Sequence, residues 1–561
     1  MNTGKEIAET QRFRALAAFA LPCLLFGFFL TFLTRPAEAK AANRPNFVVI
    51  QTDDQTLDSV RALYRSKGGA MRAVMPNTRR LLRQGGFEFT RAHTATPLCA
   101  PSRASLLSGQ YPHNHGLTRN AGEGGGWSGW KALPMRENNL ATALERSGYR
   151  TIQIGKFTNE YRGNPGEGFQ TEVPPGWSRW LVPTERYFTG YDRTRYYRYH
   201  LNVQGRVDGP LGRNSAERDD CWFGPGSAPR GRPVCGHLTD RTTYLATREI
   251  ERSSVPFFLS LNYSTPHIEH LGSGMGGRPG PTPSARHEES ARGTPLPRPP
   301  SFNEADISDK AGFVQENTWR LGGWEVGRLS RYYRRYLESL RGVDDGIGAL
   351  FAGLRRSGEL GDTYVFFTSD NGLFFGEHRF EPSKFLPYEP TVRVPLLVRG
   401  PRVPQWDRSP APVSLVDVAP TIADLAGVDL GHIVDGTSLR PLWREPTRTS
   451  DRPILFEVGD LGGDEGRSLR ARAPYRPSAG IRVGRWKFVR YGGGEFELYD
   501  LKDDPAELQN LSADPRYSEV TDDLRKALRQ YEDCAGAECL TPVEIPPPPP
   551  LPPLPPFPPL P

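Results

Sequence analysis

The chain has 561 residues, 37% of them apolar and 24% charged, with 59 Gly and 54 Pro. That balance excludes a fibrous or wholly disordered protein and leaves room for one large domain with a smaller companion. The formal net charge of +7 is dominated by arginine and suits an anionic substrate or surface, or simply a soluble basic exterior.

Residues 1–39 read as a leader rather than as fold. Lys5, Arg12 and Arg14 precede an apolar run over 15–33, and Ala37-Glu38-Ala39 offers a cleavage site. The run is long for a signal peptide and near the minimum for a membrane span, so a cleaved signal is favoured and an uncleaved anchor stays open. Either way the catalytic part is expected outside the cytoplasm, secreted or attached to membrane or wall.

The first strand, Asn46–Thr52, is apolar and β-branched and ends in Asp53-Asp54. Helical patterns follow over 75–83, 102–108 and 139–147, the last stopped by Gly148. A strand over 149–154 runs into Gly-Lys-Phe-Thr-Asn, which carries Lys156. Two further apolar strands, Phe257–Asn262 and 364–368, lead to His267 and to Asp370-Asn371. Between them, 332–351 sets Leu337, Leu340, Ile347 and Leu350 at helical spacing. Strands alternating with helices predict an α/β fold, a mostly parallel sheet covered on both faces. The Gly-, Pro- and Arg-rich stretch 271–300 is expected to be a surface insertion in a catalytic domain of 45–455.

A smaller α+β subdomain is expected over 456–540. There 481–490 and 496–500 flank Gly492-Gly493-Gly494 as an antiparallel hairpin, with a helix from about 505. Residues 541–561 form a Pro-rich tail, extended rather than packed. Of six cysteines, Cys221 with Cys235 and Cys534 with Cys539 are close couples that read as local disulfides in an exported protein. Cys23 falls in the leader, which leaves Cys99 without a partner.

In open α/β sheets ligands bind beyond the carboxyl ends of the strands. Asp53, Asp54, Asp370 and Asn371 are hard oxygen donors there, suited to Ca²⁺ or Mg²⁺ rather than to zinc. A single Asp-Asp step is ordinarily a turn or a helix cap, but two such steps each close an apolar strand. Arg103, one helical turn past Cys99, and the lysines Lys156 and Lys384 can supply fixed cations for a developing negative charge. His267, in Thr-Pro-His, can protonate a departing alkoxide, although a lone histidine after a strand is more commonly structural. For His113 and His115, in Pro-His-Asn-His-Gly, lining a cleft and packing a loop stand equal.

With these residues in view, positions 46–535 resemble the type I sulfatases. CAPSR with SGQYPHNHG, the Asp53-Asp54 opening, GKFTNEY, STPH, SDNGLFFGEHR with Lys384, and ELYDLKDDPAELQNL stand in the family's order. The resemblance implies an alkaline-phosphatase-like fold with a smaller C-terminal subdomain. It implies that a formylglycine-generating enzyme reads CAPSR and oxidises Cys99 to formylglycine. It also implies Ca²⁺ on Asp53, Asp54, Asp370, Asn371 and the modified Cys99, with Arg103, Lys156, His267 and Lys384 catalytic. A formylglycine hydrate carries two hydroxyls on one carbon: one attacks sulfur, and the other later loses its proton and expels sulfate. A serine lacks the second hydroxyl and would be trapped as its sulfate ester.

Many arylsulfatases place a histidine two residues after the first lysine, where this chain has Thr158. GKFTNEY, HNHG and PSFNEADISDK at 300–310 are closer in form to N-acetylglucosamine-6-sulfatases and extracellular heparan endosulfatases. Asn159 then takes over part of the missing histidine's role, with His115 as a further candidate substrate contact. The expected substrate is a sulfated glycan or small sulfate ester, with no nucleic acid partner. The rivals are a phosphonate monoester or phosphodiester hydrolase on the same scaffold, and a surface glycan-binding protein whose Cys99 is never oxidised.

Overall fold

The computed structural model describes residues 44–66, 68–163, 168–184, 196–212, 236–268, 280–450, 452–459 and 477–549. The expected leader, the Cys221 and Cys235 couple, residues 271–279 of the expected insertion and the tail from 550 lie outside them. The described residues belong to one compact unit.

Its centre is a ten-stranded sheet. In chain order the strands are β1 (Asn46–Thr52), β2 (Phe87–His93), β3 (Arg150–Gly155), β4 (Arg179–Thr184) and β5 (Tyr199–Val203). They are followed by β6 (Arg206–Leu211), β7 (Phe257–Asn262), β8 (Thr363–Ser369), β9 (Leu396–Arg399) and β10 (Asp407–Ser414). Across the sheet the order is β10-β2-β9-β8-β1-β7-β3-β4-β5-β6. The central five, β8-β1-β7-β3-β4, are all parallel, and antiparallel strands flank them on both sides. Successive residues of β1 face opposite layers: Phe47 and Val49 pack into one apolar cluster, Val48 and Ile50 into the other. Burial on both faces is why the strand reads as an unbroken apolar run.

Helices cover both layers. On one face lie α1 (Cys99–Ser108), α2 (Leu140–Arg146) and, later in the chain, Val418–Ala426. On the other lie α3 (Leu238–Glu251) and α4 (Gly323–Arg356), which buries Leu337, Leu340, Ile347 and Leu350 completely. The helix expected over 332–351 is therefore real but longer at both ends. The pattern over 75–83 is a single α-turn, Pro76–Thr78, continued by a π-turn, Arg79–Arg83.

The C-terminal sheet is wholly antiparallel and comprises β11 (Ile454–Val458), β12 (Ser478–Val483), β13 (Trp486–Tyr491) and β14 (Phe496–Asp500). The expected single strand 481–490 is two strands, because Gly484 takes a φ of 57° and folds the chain back so that Val483 pairs with Trp486. The helix expected from 505 begins only at 518 and runs to 531, Ser518–Tyr531. Asn510 occupies the intervening loop and accepts a hydrogen bond from the Leu498 N–H (2.9 Å) while donating to the Asp309 carbonyl (2.9 Å). Cys534 and Cys539 are joined by a disulfide.

Two expected surface segments are packed instead. Within 280–300, Arg286 bridges Asp240 of α3 and Asp345 of α4, and Ala291 is fully buried. Of the tail, Val543 and Ile545 lie against the C-terminal core, and the Trp486 indole donates to the Pro546 carbonyl.

Candidate active site

Five segments converge at the carboxyl edge of the parallel strands. β1 delivers Asp53 and Asp54, and β8, its parallel neighbour, delivers Asp370 and Asn371. β7, on the other side of β1, leads to the turn 264–267, which is tied back by the Asp53 N–H donating to the Thr265 carbonyl (3.2 Å). β3 ends at Gly155, whose φ is 87° and where a Cβ would meet the Asn262 carbonyl oxygen at 1.8 Å. Only glycine fits there, and the next residue, Lys156, is thereby turned into the site. Phe157 locks that turn in place by edge-on packing against Trp127, Trp130, Trp177 and Trp180. Cys99 is the first residue of α1, where unpaired helix N–H groups concentrate positive potential. Pro101 is tolerated in that first turn because its missing N–H has no intrahelical acceptor.

The side chains form one buried network. Lys384 Nζ donates to Cys99 Sγ (2.7 Å), to Asn371 Oδ1 (3.3 Å) and to Asp54 Oδ1. The Cys99 thiol donates to Asp53 Oδ1 (3.4 Å). Lys156 Nζ stands 2.7 Å from Asp53 Oδ2. Arg103 grips Asp370 Oδ2 through Nε (3.0 Å) and Nη2 (2.8 Å), with Asp53 Oδ2 at 3.7 Å. His267 Nδ1 lies 2.8 Å from the Ile268 carbonyl, which can only accept, so Nδ1 carries the proton and Nε2 faces Asp54 Oδ2 at 3.7 Å. Asp53, Asp54, Cys99 and His267 each offer a ligand atom within 4.8 Å of the others, a group able to hold a metal ion.

The charges explain one another. Burial raises the Asp53 carboxyl, but Lys156, His267, Arg103 and Lys384 outweigh it and hold Asp53 far below the usual carboxylate range. Burial likewise opposes charge on Lys384, and Asp54, with Asp370 and Asp53, reverses it, so the ammonium is kept. Burial, then the Asp53 charge, pushes the Cys99 thiol well up. An unmodified Cys99 is therefore a neutral thiol, neither nucleophile nor hard ligand. Asp53, Asp54, Asp370 and Asn371 fit a hard divalent cation once position 99 offers oxygen in place of sulfur.

All the expected catalytic and metal-binding residues thus meet in one place. Asn159 is buried on the loop after β3. His115 does not line the cleft. It is buried beneath α1, its Nε2 donating to Ser105 Oγ (2.9 Å) and its Nδ1 accepting from the Leu117 N–H (3.1 Å). Neither nitrogen is left for a substrate, and the expectation of a substrate contact is corrected. His113 joins the C-terminal sheet instead, through Glu457.

Two contributors escaped the sequence reading. Asp54 has a φ of 66°, costly for a non-glycine residue, and Tyr336 of α4 sustains it. The Tyr336 hydroxyl donates to the Asp54 carbonyl (3.2 Å) and accepts from the Thr56 N–H (2.7 Å). Asn120 Oδ1 accepts the Ala100 N–H at the start of α1 (2.9 Å). A tyrosine among the buried residues of α4 was the only signal for the first; a side chain capping from 20 residues away left none for the second.

Comparison with known proteins identifies the family and the fold. The family described as Sulfatase matches residues 45–428, and that described as N-sulphoglucosamine sulphohydrolase, C-terminal, matches 376–533. The N-acetylglucosamine-6-sulfatase of Capra hircus is 29% identical over 541 residues, covering 90% of this chain and 86% of that protein. Among solved structures, one in complex with its substrate D-glucosamine-2-N,6-O-disulfate superposes with a TM-score of 0.67 at 22% identity, over 87% of this chain and 97% of that one. The phosphonate monoester hydrolase of Agrobacterium radiobacter superposes with a TM-score of 0.61 at 22% identity, over 87% and 95%.

Proposed function

This chain belongs to the sulfatase family, whose enzymes hydrolyse sulfate esters, and from that premise we propose that it removes sulfate from sugars, at N-acetylglucosamine 6-sulfate units, using formylglycine made from Cys99. One observation carries the reading: Cys99 Sγ, at the head of α1, lies within hydrogen-bonding distance of both Asp53 Oδ1 and Lys384 Nζ. The relationship to N-acetylglucosamine-6-sulfatase supports the sugar and the position.

In this reading Asp53, Asp54, Asp370 and Asn371 hold Ca²⁺, or Mg²⁺ less well, with the oxygen of residue 99. The ion supplies Lewis acidity, polarising a sulfate oxygen and favouring ionised oxygen at position 99. Asp53 Oδ1, 3.4 Å from Cys99 Sγ, is placed to orient the hydrate by accepting its hydrogen bond, and the proton lost on ionisation passes to solvent. One hydrate hydroxyl attacks sulfur in line and the sugar alkoxide leaves. His267, protonated at Nε2, delivers the proton to that alkoxide, and Lys384 offsets the charge on the leaving side. Arg103 and Lys156 hold Asp370 and Asp53 so that the carboxylates keep their geometry. The remaining hydroxyl then loses its proton, the C–O bond to sulfate breaks, and the aldehyde returns. Export accompanies this reading, supported by the Cys534–Cys539 disulfide.

A panel of aryl sulfates, sugar 6-sulfates and phosphonate monoesters tests it. Sugar 6-sulfates should be turned over best, and aryl sulfates at least slowly because their leaving groups need little protonation. A preference for the phosphonate by orders of magnitude would transfer the chain to the phosphonate hydrolases, whose fold it shares.

A further inference from the structure

α4 covers one face of the sheet and runs antiparallel to β1. It ends at Arg356, and the chain re-enters the sheet at Thr363, which pairs with Asn46 at the amino end of β1. Earlier residues of α4 therefore lie towards the carboxyl edge of the strands, where the site is. Tyr336 fixes the level, because its hydroxyl donates to the Asp54 carbonyl at 3.2 Å. Tyr332 is four residues earlier, on the same helix face and one turn, roughly 6 Å, further out. That places it at the mouth of the cleft, on the Asp54 side.

The ring of Tyr332 is fixed while its hydroxyl is left over. The ring packs edge-on against Phe375 of the catalytic loop, 370–384, at 5.6 Å, as the Tyr336 ring does at 5.0 Å. The backbone at Gly280 also presses on it: a Cβ there would meet Tyr332 Cα and Cγ at 3.3 Å. Tyr332 keeps only 4% of its surface. Among the described residues its hydroxyl has no hydrogen-bond partner, and it is not one of the sealed polar atoms of the interior, so that oxygen belongs to the surface left open. A tyrosine buried this far ordinarily spends its hydroxyl on the protein. Burial, and next the Asp54 charge, hold the phenol proton well above the ordinary tyrosine range, so the hydroxyl is a donor at neutral pH.

The groups that serve the departing alkoxide flank the same carboxylate. His267 Nε2 faces Asp54 Oδ2 at 3.7 Å, and Lys384 Nζ donates to Asp54 Oδ1. In-line attack from residue 99 sends the leaving group away from α1, so the sugar ring extends outward past Asp54. We propose that Tyr332 is a substrate-binding residue whose hydroxyl hydrogen-bonds to a hydroxyl of that sugar ring once the sulfate is seated at residue 99. It thereby discriminates between substrates, because a simple aryl leaving group offers the phenol no hydroxyl. The proposal rests on the sulfatase reading for its orientation and is tested apart from it.

Steady-state kinetics of full-length Tyr332→Phe test it, because the ring and its packing stay and only the hydroxyl goes. With N-acetylglucosamine 6-sulfate KM should rise about tenfold and kcat should change little, the signature of a lost ground-state contact. With a nitrophenyl sulfate both constants should stay within about twofold of the parent's. Tyr333→Phe, which removes a hydroxyl from the next residue of the helix, should match the parent on both substrates. A parent-like KM on the sugar would overturn the proposal. So would equal losses on the two substrates, which mark a merely structural role. Should the parent hydrolyse no sulfate ester, the sulfatase reading fails, and binding alone decides on Tyr332. N-acetylglucosamine 6-sulfate is then titrated, with ligand-detected NMR, into Cys99→Ala and into Cys99→Ala/Tyr332→Phe. Weaker binding to the double variant supports the contact; equal binding, or none to either, overturns it.

Discussion

Lys384 Nζ lies 2.7 Å from Cys99 Sγ across 285 residues of sequence, and the same ammonium reaches Asn371 Oδ1 at 3.3 Å. The lysine thus contacts the atom that reacts and a side chain expected to bind metal. Replacing it with alanine removes a fixed charge aimed at the reacting centre. Lys384→Ala should lower kcat on a sugar 6-sulfate by about 10²–10³ while KM changes little. On an aryl sulfate, whose leaving group needs less help, the loss should be smaller. Equal losses on both substrates would remove Lys384 from the leaving-group side.

The metal is tested without turnover. Chelator-treated protein should melt at a lower temperature, and Ca²⁺ at about 100 times its Kd should restore roughly 2.7 kcal/mol of stability. Asp53→Ala should abolish that gain, and Asp370→Asn should weaken the affinity by removing a charged ligand. Stabilisation by Zn²⁺ but not Ca²⁺ in differential scanning calorimetry would contradict an oxygen-donor site.

His115 gives a pH dependence of known sign. Burial, reinforced by the nearby His113 charge, pushes it down to about 3. Its unfolded value is the ordinary one, about 6.5. The unfolded chain therefore takes up the proton first on acidification. The stability this histidine contributes is complete above about pH 6.5 and is lost as pH falls towards 3. The physical cost is a proton forced onto Nδ1, which now accepts from the Leu117 N–H. His115→Gln should be less stable at neutral pH but lose less stability between pH 6.5 and 4.5, measured by urea unfolding. An unchanged slope would mean other groups dominate the acid limb.

Lys487 of β13 is fully buried between Glu389 (3.3 Å) and Glu507 (2.7 Å), joining the C-terminal sheet to the segment after the catalytic loop. Lys487→Met leaves two carboxylates buried without their shared cation. Denaturant unfolding should show a loss of about 3–5 kcal/mol. A loss below 1 kcal/mol would mean water or Arg482 takes over the charge.

The parts of this molecule that could be read from sequence were those where one residue pattern meets one environment. β1, β7 and β8 are mostly apolar and buried along their whole length because helices cover both faces of the sheet, and the acids that follow β1 and β8 marked the site directly. β10 was not legible: Asp-Arg-Ser-Pro-Ala-Pro-Val-Ser has two prolines, tolerated because it is an edge strand with a register shift between Ser409 and Pro412. The start of α1 was read late, at 102, since Pro101 looks like a breaker and is in fact a first-turn residue. Lys384 was nominated as a fixed cation that follows the Asp370 loop, and by resemblance, but no periodicity relates it to Cys99 and only the folded loop brings them together. His115 was left open for the same reason: the short turn Pro112–His115 tucks it under α1, a long-range outcome that local pattern does not encode.

The central claim is that residue 99 reacts as formylglycine, and the most direct measurement is the mass of the tryptic peptide running from Ala92 to Arg103. In protein produced alongside a formylglycine-generating enzyme, that peptide should have lost one sulfur and two hydrogens and gained one oxygen, in proportion to activity on sulfate esters. An intact cysteine in that peptide, from a preparation fully active on sulfate esters, would contradict the account.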